Sequence, residues 1–489
     1  MTSRTFFWHD YETFGANTRR DRPAQFAGIR TDMELNEVGE PLMLYCQPAP
    51  DFLPSPEATL ITGITPQDCL AKGVPEHAFA AQIEQAFAQP GTIGVGYNSI
   101  RFDDEITRFM FWRNLIDPYA REWQNNCGRW DLLDVVRLTY ALRPEGMEWP
   151  RHPDGRPSFK LEDLARANGL LHEAAHDALS DVRATIALAR LIRQKQPKLF
   201  DFALRLHKKM EVAAELGLPA SQAHAKPFLH VTGMFPVENG CMAVMWPLAS
   251  HPTNKNELLA WNLAYDPSEL PLLDVPTLRQ RMFSRASELP EGVSRLPVKS
   301  IHLNKSPMVV GNLKTLLPAT AEKWQIDMDL ALRHAAIARD LPDMSAVWAA
   351  VFDRAEGDTP TDVDQDLYGG FIGNTDRRRL DGLRALSGPE LAKARSGFDD
   401  ARLEELVFRY RARNFADSLS PDEQARWEAH RAAALLEGEG GVLQIDEFLA
   451  QVEALHEAAE GNPDAAARER AVGLLGALQE YVEGILPEA

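Results

Sequence analysis

The sequence predicts an α/β domain over residues 1–200, a small β-barrel or sandwich over 201–350 and an all-helical domain over 351–489. Its length of 489 residues suits about three domains of roughly 150 residues each. In the first part, short apolar strands alternate with helical periodicity. The second part begins with short strands separated by Pro, Gly and Asn, and the third has helical apolar spacing and abundant alanine.

The elements of each domain follow from this periodicity. In the first domain the predicted strands are Thr5–Glu12 and Thr92–Gly96, and the predicted helices are Glu76–Phe87, Trp130–Leu142, Leu161–Asn168 and Ala178–Gln194. In the second, strands are predicted over Leu229–Phe235, Met242–Leu248, Glu257–Tyr265 and Val298–Leu303, followed by a helix over Thr320–Asp340. In the third, helices are predicted over Ala401–Arg413, Pro421–Glu437, Val442–Glu460 and Pro463–Ile485.

The composition is that of a soluble globular chain, with 45% hydrophobic and 25% charged residues. No run of about 18 apolar residues predicts a membrane span, and the N-terminus has no signal-peptide pattern. The four cysteines are far apart and form neither a zinc motif nor a disulfide framework. We therefore expect a reduced, cytoplasmic protein without a membrane partner.

Net charge argues against a generic nucleic-acid binder, since the chain carries −19 and residues 351–489 alone carry −14. Any nucleic acid would have to be held by local basic stripes.

Asp10 and Glu12 lie two residues apart on the first predicted strand, so both side chains leave the same face. Two carboxylates at the end of an apolar strand repel each other and lose hydration, and a bound Mg²⁺ or Mn²⁺ would relieve both costs. The alternative is a strand that simply ends in solvent.

Two later clusters complete a candidate acidic site. Asp103 or Asp104, after the second strand, could supply a third carboxylate, although an acidic first turn of a helix is the alternative. His176 precedes the helix that contains Asp181, so both side chains can point at one place, although such pairs are also common as structural features.

The order of these clusters resembles the DEDD superfamily of 3′→5′ exonucleases, histidine subtype, which has a ribonuclease-H-like fold. The motifs that match are D-x-E at Asp10 and Glu12, N-x4-D at Asn98 and Asp103, and H-x4-D at His176 and Asp181. Further blocks resemble the bacterial exonuclease I family, which degrades single-stranded DNA: HDYETFG (9–15), GYNSIRFDDE (96–105), RWDLLDVVR (129–137), PSFKLEDL (157–164), VKSIHLNKSP (298–307), LYGGF (367–371) and YRARNF (410–415).

This resemblance implies three domains, namely a ribonuclease-H-like exonuclease domain, an SH3-like barrel and a helical C-terminal domain. It implies 3′→5′ hydrolysis of single-stranded DNA to 5′-mononucleotides, in DNA repair and recombination, with two Mg²⁺ ions that Mn²⁺ can replace. Asp10, Glu12, Asp103 and Asp181 would hold the metals, and His176 would act as general base. We expect the protein to be a monomer.

Cations interleaved with aromatic residues are typical of single-strand binding. On that pattern the candidate DNA contacts are Arg108, Tyr119, Trp123 and Arg137, together with Glu12 and Lys160. The family usually has arginine where this chain has Lys160, which keeps the charge but loses a bidentate grip. The alternative is that the aromatic residues belong to the core.

Two further expectations concern arginines. Exonuclease I enzymes dock the acidic C-terminal tail of single-stranded DNA-binding protein, and Arg143 is our candidate anchor for its terminal carboxylate. Arg409, which precedes YRARNF, and Arg413 within it share a helix face, which we expect to line a DNA channel. The alternative is that they pair with the domain's own acids.

Other functions remain open on the motifs alone. A 3′→5′ exoribonuclease of the same superfamily would carry the same five catalytic residues. A polymerase-binding subunit would leave the barrel unexplained, and a catalytically inactive binding module would require the loss of a ligand residue, which is not seen.

Overall fold

The computed structural model describes residues 4–170, 178–219, 224–353, 362–394 and 397–487. The chain forms two compact units, one of residues 1–128, 172–183 and 359–489 and the other of residues 129–171 and 184–358. None of the helices in the described ranges is long and apolar enough to cross a membrane.

Strands and α-helices are numbered in chain order. The strands are β1 (Thr5–Thr13), β2 (Pro23–Thr31), β3 (Leu42–Tyr45), β4 (Thr92–Gly96), β5 (Gly128–Asp131), β6 (Phe228–Val231), β7 (Met242–Ser250), β8 (Glu257–Asn262), β9 (Val298–His302) and β10 (Met308–Val310). The helices are α1 (Pro56–Thr62), α2 (Pro66–Lys72), α3 (Glu76–Phe87), α4 (Asp103–Arg113), α5 (Leu132–Leu142), α6 (Leu161–Ala167), α7 (Ala178–Lys195), α8 (Pro197–Arg205), α9 (Lys209–Glu215), α10 (Val275–Phe283), α11 (Pro318–Lys323), α12 (Met328–Arg339), α13 (Ser345–Phe352), α14 (Asn374–Arg384), α15 (Gly388–Leu391), α16 (Arg402–Asn414), α17 (Pro421–Glu437), α18 (Ile445–Glu460) and α19 (Ala465–Gly484).

In the first unit, a mixed sheet has the strand order β3-β2-β1-β4. β1 is antiparallel to β2 and parallel to β4, so its two neighbours bury almost its whole length. Phe7, Phe26 and Phe87 pack with the apolar faces of α3 and α4 in one core. The sequence predicts β1, β4 and α3 correctly but misses β2 and β3.

The C-terminal helices of the first unit pack against the exonuclease part of that unit through two apolar clusters. Trp112 of α4 lies in a cluster with residues of α14 and α16. Leu53 lies in another with Phe448 of α18 and Leu478 of α19. The predicted helical C-terminal part is confirmed, with α17 beginning and ending where the periodicity places it.

In the second unit, a five-stranded antiparallel sheet has the order β10-β6-β7-β8-β9. It confirms the predicted small β domain, whereas β10 was missed. The single helix predicted over Thr320–Asp340 is wrong, because Gln325 has φ of 54° and the chain breaks into α11 and α12. The helix predicted from Trp130 begins at Leu132, since Asp131 ends β5 and caps α5 through its contact with the Leu133 amide, at 3.0 Å.

The expectation that Arg409 and Arg413 line a channel is wrong. Arg413 is buried between Asp51 and Asp364, with its Nη2 2.7 Å from Asp51 Oδ2 and its Nη1 2.9 Å from Asp364 Oδ1. Arg409 donates to Asp362 at 2.7 Å and lies 3.3 Å from Asp364. The charges of both arginines are therefore neutralised inside the first unit. Asp51 belongs to the exonuclease part of that unit, and Asp362 and Asp364 belong to its helical part.

Removal of the Arg413 charge tests how much this buried cluster stabilises the fold. Arg413→Met leaves Asp51 and Asp364 without their main partner, and we expect it to lower the free energy of unfolding by about 3–5 kcal/mol, measured by urea at pH 7. Arg166→Met removes an exposed arginine that pairs with Glu162, so it should cost at most about 1 kcal/mol.

At acid pH the difference in free energy of unfolding between wild type and Arg413→Met should become smaller. Burial raises the pKa of Asp51, but the Arg413 charge outweighs it and holds that pKa well below the usual value. A carboxyl with a depressed folded pKa stabilises the fold above its unfolded pKa of about 3.9 and loses that effect as pH falls. If the difference in free energy of unfolding between wild type and Arg413→Met does not become smaller below about pH 4, the ion pair of Arg413 with Asp51 is not its cause.

Candidate active site

β1 carries Asp10 and Glu12 beyond the end of its parallel neighbour. Its pairing with β4 runs from Thr5 to Trp8, whereas its pairing with β2 continues past Asp10, which lies opposite Ala27. Both carboxylates are half-buried. They therefore stand at the edge of the sheet where β4 ends and the chain turns toward α4.

The third carboxylate of the site comes from α7. The structure brings Asp181 to Asp10 and Glu12 so that one carboxylate oxygen from each lies within 4.8 Å of the others. All three side chains are half-buried, which leaves the site open to a ligand.

Asp103 stands at the first residue of α4 and is buried. Its Oδ1 accepts a hydrogen bond from the backbone amide of Tyr11 at 3.1 Å. Because Tyr11 lies between Asp10 and Glu12, this bond fixes Asp103 beside the pair. Thr107, one turn further along α4, donates to the Asp103 carbonyl oxygen at 2.8 Å.

Electrostatic repulsion governs this cluster. The pKa of Asp10 lies well above its usual value, first because its half-buried carboxyl loses hydration and then because of the charges of Asp103, Glu12 and Asp181. A divalent cation would oppose both effects. Carboxylate oxygens are the donors that Mg²⁺ and Mn²⁺ prefer, so the residues present fit such a metal.

Asp104 and Glu105 each form an ion pair with a buried arginine. The sequence places them in an acidic first turn, where they do lie, but each also neutralises a cation. Arg121 Nη2 lies 2.5 Å from Asp104 Oδ1, and both side chains are buried. Arg108 lies 2.7 Å from Glu105. Of the two adjacent aspartates, the structure therefore points Asp104 at an arginine and Asp103 at the β1 carboxylates.

Of the other predicted catalytic residues, His176 lies outside the described residues, and its role stays a prediction. Buried His9, next to Asp10, is a different case. Burial, and then the charge of Arg121, lower the pKa of His9 to about 4. Its Nδ1 lies 3.5 Å from the Phe7 carbonyl oxygen. A neutral ring packed against Phe26 and Phe87 makes His9 part of the core.

The predicted DNA contacts of the first unit differ in accessibility. Arg108 is buried and gives two hydrogen bonds to Glu122, at 2.7 and 2.9 Å. Tyr119 is half-buried beneath the Arg108 guanidinium, 5.2 Å from the ring centroid. Trp123 is 65% exposed. Only Trp123 presents most of its surface to solvent, while Arg108 is held by its own acids.

The predicted contacts of the second unit are more open. Lys160 is exposed at the residue before α6, and half-buried Arg137 lies 2.8 Å from Asp134. Arg143 directly follows α5 and donates to the Thr315 carbonyl oxygen at 3.2 Å. It borders a pocket of about 410 Å³ whose lining includes Phe202 and Lys198.

Two residues of the first unit that lie beside predicted site residues were not singled out from the sequence. Tyr11 is needed for its backbone amide, and no sequence pattern indicates a contact with Asp103, 92 residues away. Phe371 is 89% exposed, and its ring centroid lies 6.2 Å from that of Tyr119. Its place in LYGGF was a signal of family resemblance without a role.

Comparison with known proteins identifies the family. Three family models match in order: an exonuclease domain over residues 7–189, the exonuclease I SH3-like domain over 207–354 and the exonuclease I C-terminal domain over 361–485. Exodeoxyribonuclease I of Escherichia coli is 47% identical over 428 residues, which cover 87% of this chain and 89% of that protein.

The chain belongs to the exonuclease I family.

Solved structures of family members have the same fold over the whole length. Exonuclease I from Methylocaldum szegediense has a TM-score of 0.91 at 48% identity, covering 99% of both chains. E. coli exonuclease I in complex with a dA16 oligonucleotide has a TM-score of 0.90 at 44% identity, covering 99% of this chain and 100% of that one. A third structure is described as SSB/exonuclease I in complex with an inhibitor, with a TM-score of 0.89, 41% identity and coverage of 99% and 100%.

The repulsion at Asp10 should be measurable as stability. Because the folded pKa of Asp10 is raised, its charge destabilises the fold above an unfolded pKa of about 3.9. In a chelator at pH 7, Asp10→Asn should therefore raise Tm, by about 2–4 °C for each kcal/mol of repulsion removed in a domain of this kind.

Added Mg²⁺ should raise the Tm of wild type more than that of Asp10→Asn, since a bound ion stabilises only the folded state. Asp340→Asn, at an exposed aspartate, is the control and should respond to Mg²⁺ as wild type does. Equal Mg²⁺ responses in wild type and Asp10→Asn would contradict the metal assignment.

Proposed function

We propose that this protein degrades single-stranded DNA from the 3′ end and releases 5′-mononucleotides, in DNA repair and recombination. The observation that carries the proposal is the convergence of Asp10, Glu12 and Asp181, with Asp103 fixed beside them. Relatives named exodeoxyribonuclease I, and a relative solved with a dA16 strand, support DNA as the substrate.

We assign the metal sites to Asp10, Glu12, Asp103 and Asp181, with two Mg²⁺ ions as the cofactor and Mn²⁺ as a substitute. Bound divalent cations would stabilise the negative charge that builds up on the phosphate during attack. The chain itself supplies the acidic residues, and the half-burial of Asp10, Glu12 and Asp181 leaves room for a DNA end.

His176 is assigned as the general base that takes the proton from the attacking water. The support is the family spacing H-x4-D, which ends at Asp181 in the acidic cluster. An imidazole titrates near neutral pH, which suits this task.

The DNA contacts that we propose are Glu12, Lys160, Arg108, Tyr119, Trp123 and Arg137. Exposure favours Trp123 and Lys160, which can reach a base face and a phosphate without rearrangement. Arg108 acts through its packing over the Tyr119 ring, since Glu122 already neutralises its charge. We retain the domain division 1–200, 201–350 and 351–489, which the ranges of the three family models support.

We further propose that the acidic tail of single-stranded DNA-binding protein docks at Arg143. The pocket beside this residue offers apolar surface from Phe202 and Val310 and a second cation, Lys198. A relative solved with SSB supports the partner. We propose a monomer in the cytoplasm, where a bacterial DNA substrate lies.

Hydrolysis is tested with end-labelled single-stranded DNA, duplex DNA and RNA. We expect single mononucleotides to be released from the 3′ end of single-stranded DNA in Mg²⁺, and no release in excess chelator. Asp10→Ala and Asp181→Ala should abolish turnover without unfolding, because both side chains are half-buried at a surface edge. Preferential cleavage of RNA would favour the exoribonuclease instead.

His176→Ala should lower kcat by about 10²–10⁴-fold and leave DNA affinity nearly unchanged. Its pH–rate profile should also lose an ionisation near neutrality. A variant with normal kcat and weakened DNA binding would show that His176 contacts substrate and is not the base.

Arg143→Ala should weaken binding of an acidic tail peptide by about tenfold or more, since a charge-assisted bidentate contact is lost. Arg151→Ala, at an exposed arginine of the same unit, is the matched control and should bind the peptide as wild type does. Equal affinities of all three proteins in a peptide titration would remove Arg143 as the anchor.

A further inference from the structure

A segment of the helical part of the first unit lies against α4, and none of the assignments above gives it a role. We call this segment the strap and define it as residues 362–371. Near its start, Trp112 Nε1 donates to the Val363 carbonyl oxygen at 2.7 Å. Near its end, Arg402 Nη2 donates to the Gly370 carbonyl oxygen at 2.9 Å. Side chains of α4 and α16 therefore hold the strap at both ends.

Tyr368 of the strap lies over one face of α4. Glu105, Arg108 and Phe109 share that face, because residues three and four apart on a helix point to the same side. The Tyr368 ring meets the buried Phe109 ring edge-on, with 5.6 Å between their centroids. The guanidinium of Arg19 lies over the Tyr368 ring, 5.7 Å from its centroid. These contacts place the ring so that its hydroxyl reaches the first turn of α4.

The Tyr368 hydroxyl closes a ring of hydrogen bonds with two side chains of α4. It donates to Glu105 Oε2 at 2.5 Å and accepts from Arg108 Nη1 at 3.1 Å. The same Nη1 donates to Glu105 Oε1 at 2.7 Å. A tyrosine hydroxyl keeps its proton at neutral pH, so it donates and accepts at the same time. Glu105 is therefore held at both of its oxygens.

The guanidinium of Arg108 has two acids to neutralise. Besides Glu105 it pairs with Glu122, through two contacts of 2.7 and 2.9 Å, so two carboxylates share one positive charge. The Tyr368 hydroxyl gives Glu105 a charge-assisted hydrogen bond that offsets part of this deficit. Without that bond, Glu105 would present more of its negative charge two residues from Asp103, where it would add to the repulsion among the acids of the site.

The position of Asp103 depends on the same turn. Asp103 is the first residue of α4, and its carboxylate meets the Tyr11 amide beside the β1 acids. Groups that bind a metal have to be held within about 0.5 Å of their productive geometry. Because Glu105 lies in the first turn as well, a hydrogen bond that fixes Glu105 also fixes the backbone that carries Asp103.

We propose that Tyr368 is a positioning residue of the metal site, acting on Asp103 through Glu105 and the first turn of α4. The hydroxyl carries this role, whereas the ring only places the hydroxyl. The inference rests on the proposed function, because it takes Asp103 as a group that holds the metals. It gives the helical part of the first unit an influence on the reaction that its distance along the sequence does not indicate.

Metal affinity of the full-length protein without DNA tests the proposal. Mn²⁺ is titrated into wild type and Tyr368→Phe, and free Mn²⁺ is measured by electron paramagnetic resonance. Groups that orient metal ligands are worth about 10–100-fold in metal affinity or activity. Tyr368 acts at one further remove, so we expect Tyr368→Phe, which keeps the ring, to weaken Mn²⁺ binding by about 3- to 10-fold.

A double-mutant cycle tests the route through Glu105. Glu105→Gln keeps the shape of the side chain and removes the charge that the Tyr368 hydroxyl stabilises. If Tyr368 acts through Glu105, Tyr368→Phe should weaken Mn²⁺ binding less in the Glu105→Gln protein than in wild type. Equal losses of Mn²⁺ affinity in the two backgrounds would show that the hydroxyl acts elsewhere, and would overturn the proposal.

Tyr265→Phe is the matched control. It removes a tyrosine hydroxyl in the second unit from a residue that is 57% exposed, against 46% for Tyr368. This variant should bind Mn²⁺ as wild type does. Hydrolysis of single-stranded DNA is then followed at limiting and saturating Mg²⁺. We expect Tyr368→Phe to lower kcat at limiting Mg²⁺, to recover at saturating Mg²⁺ and to keep the wild-type KM for DNA.

Wild-type Mn²⁺ affinity in Tyr368→Phe would overturn the proposal. A raised KM for DNA at wild-type metal affinity would also overturn it, because Tyr368 would then be a substrate contact. If wild type itself neither binds Mn²⁺ nor degrades DNA, the proposed function is wrong and this inference falls with it. If wild type does both and Tyr368→Phe matches it, only this inference fails.

Discussion

Repulsion among four carboxylates at the end of β1 is the constraint around which the first unit is arranged. Asp10 is buried enough for its pKa to be raised, and Glu12, Asp103 and Asp181 add to the effect. The sheet edge and the Tyr11 amide hold these groups in place at the expense of stability. Such an arrangement persists because it serves a cation and a phosphate, and stability is supplied elsewhere in the unit.

The same unit also holds buried ion pairs. Arg121 neutralises Asp104, and Arg413 is enclosed by Asp51 and Asp364. A one-to-one pair such as Arg121 with Asp104 leaves the net charge of −19 unchanged, so the net charge does not show which cations are neutralised inside the fold. Net charge alone therefore does not exclude a nucleic-acid substrate.

Family membership and geometry answer different questions. The catalytic motifs are common to DNA and RNA exonucleases, so the acidic cluster alone gives the reaction class. The choice of DNA rests on relatives that match this chain over almost its whole length. The geometry adds what those relatives' names do not: which carboxylate of the Asp103–Asp104 pair faces the site, and which arginines are already neutralised.

Local sequence determined the elements whose signals are themselves local. α17 begins at Pro421 after a Ser420 cap and ends before Gly438 in the left-handed conformation, and both limits are legible in the sequence. The two-residue spacing of Asp10 and Glu12 likewise fixes their common face. The same reasoning missed β2 and β3, because these strands are recognised through their pairing with β1 and with each other. It also joined α11 to α12, since apolar periodicity continues through the break at Gln325.

Only the tertiary structure determined which partner each charged side chain has. Helical spacing correctly put Arg409 and Arg413 on one face, but whether that face met DNA or acids depended on Asp51, 362 residues earlier in the chain. The choice of Asp103 depended in the same way on a backbone amide of another element. A sequence shows which side chains share a local face, whereas the partner that a face meets is set by long-range packing, which local periodicity does not encode.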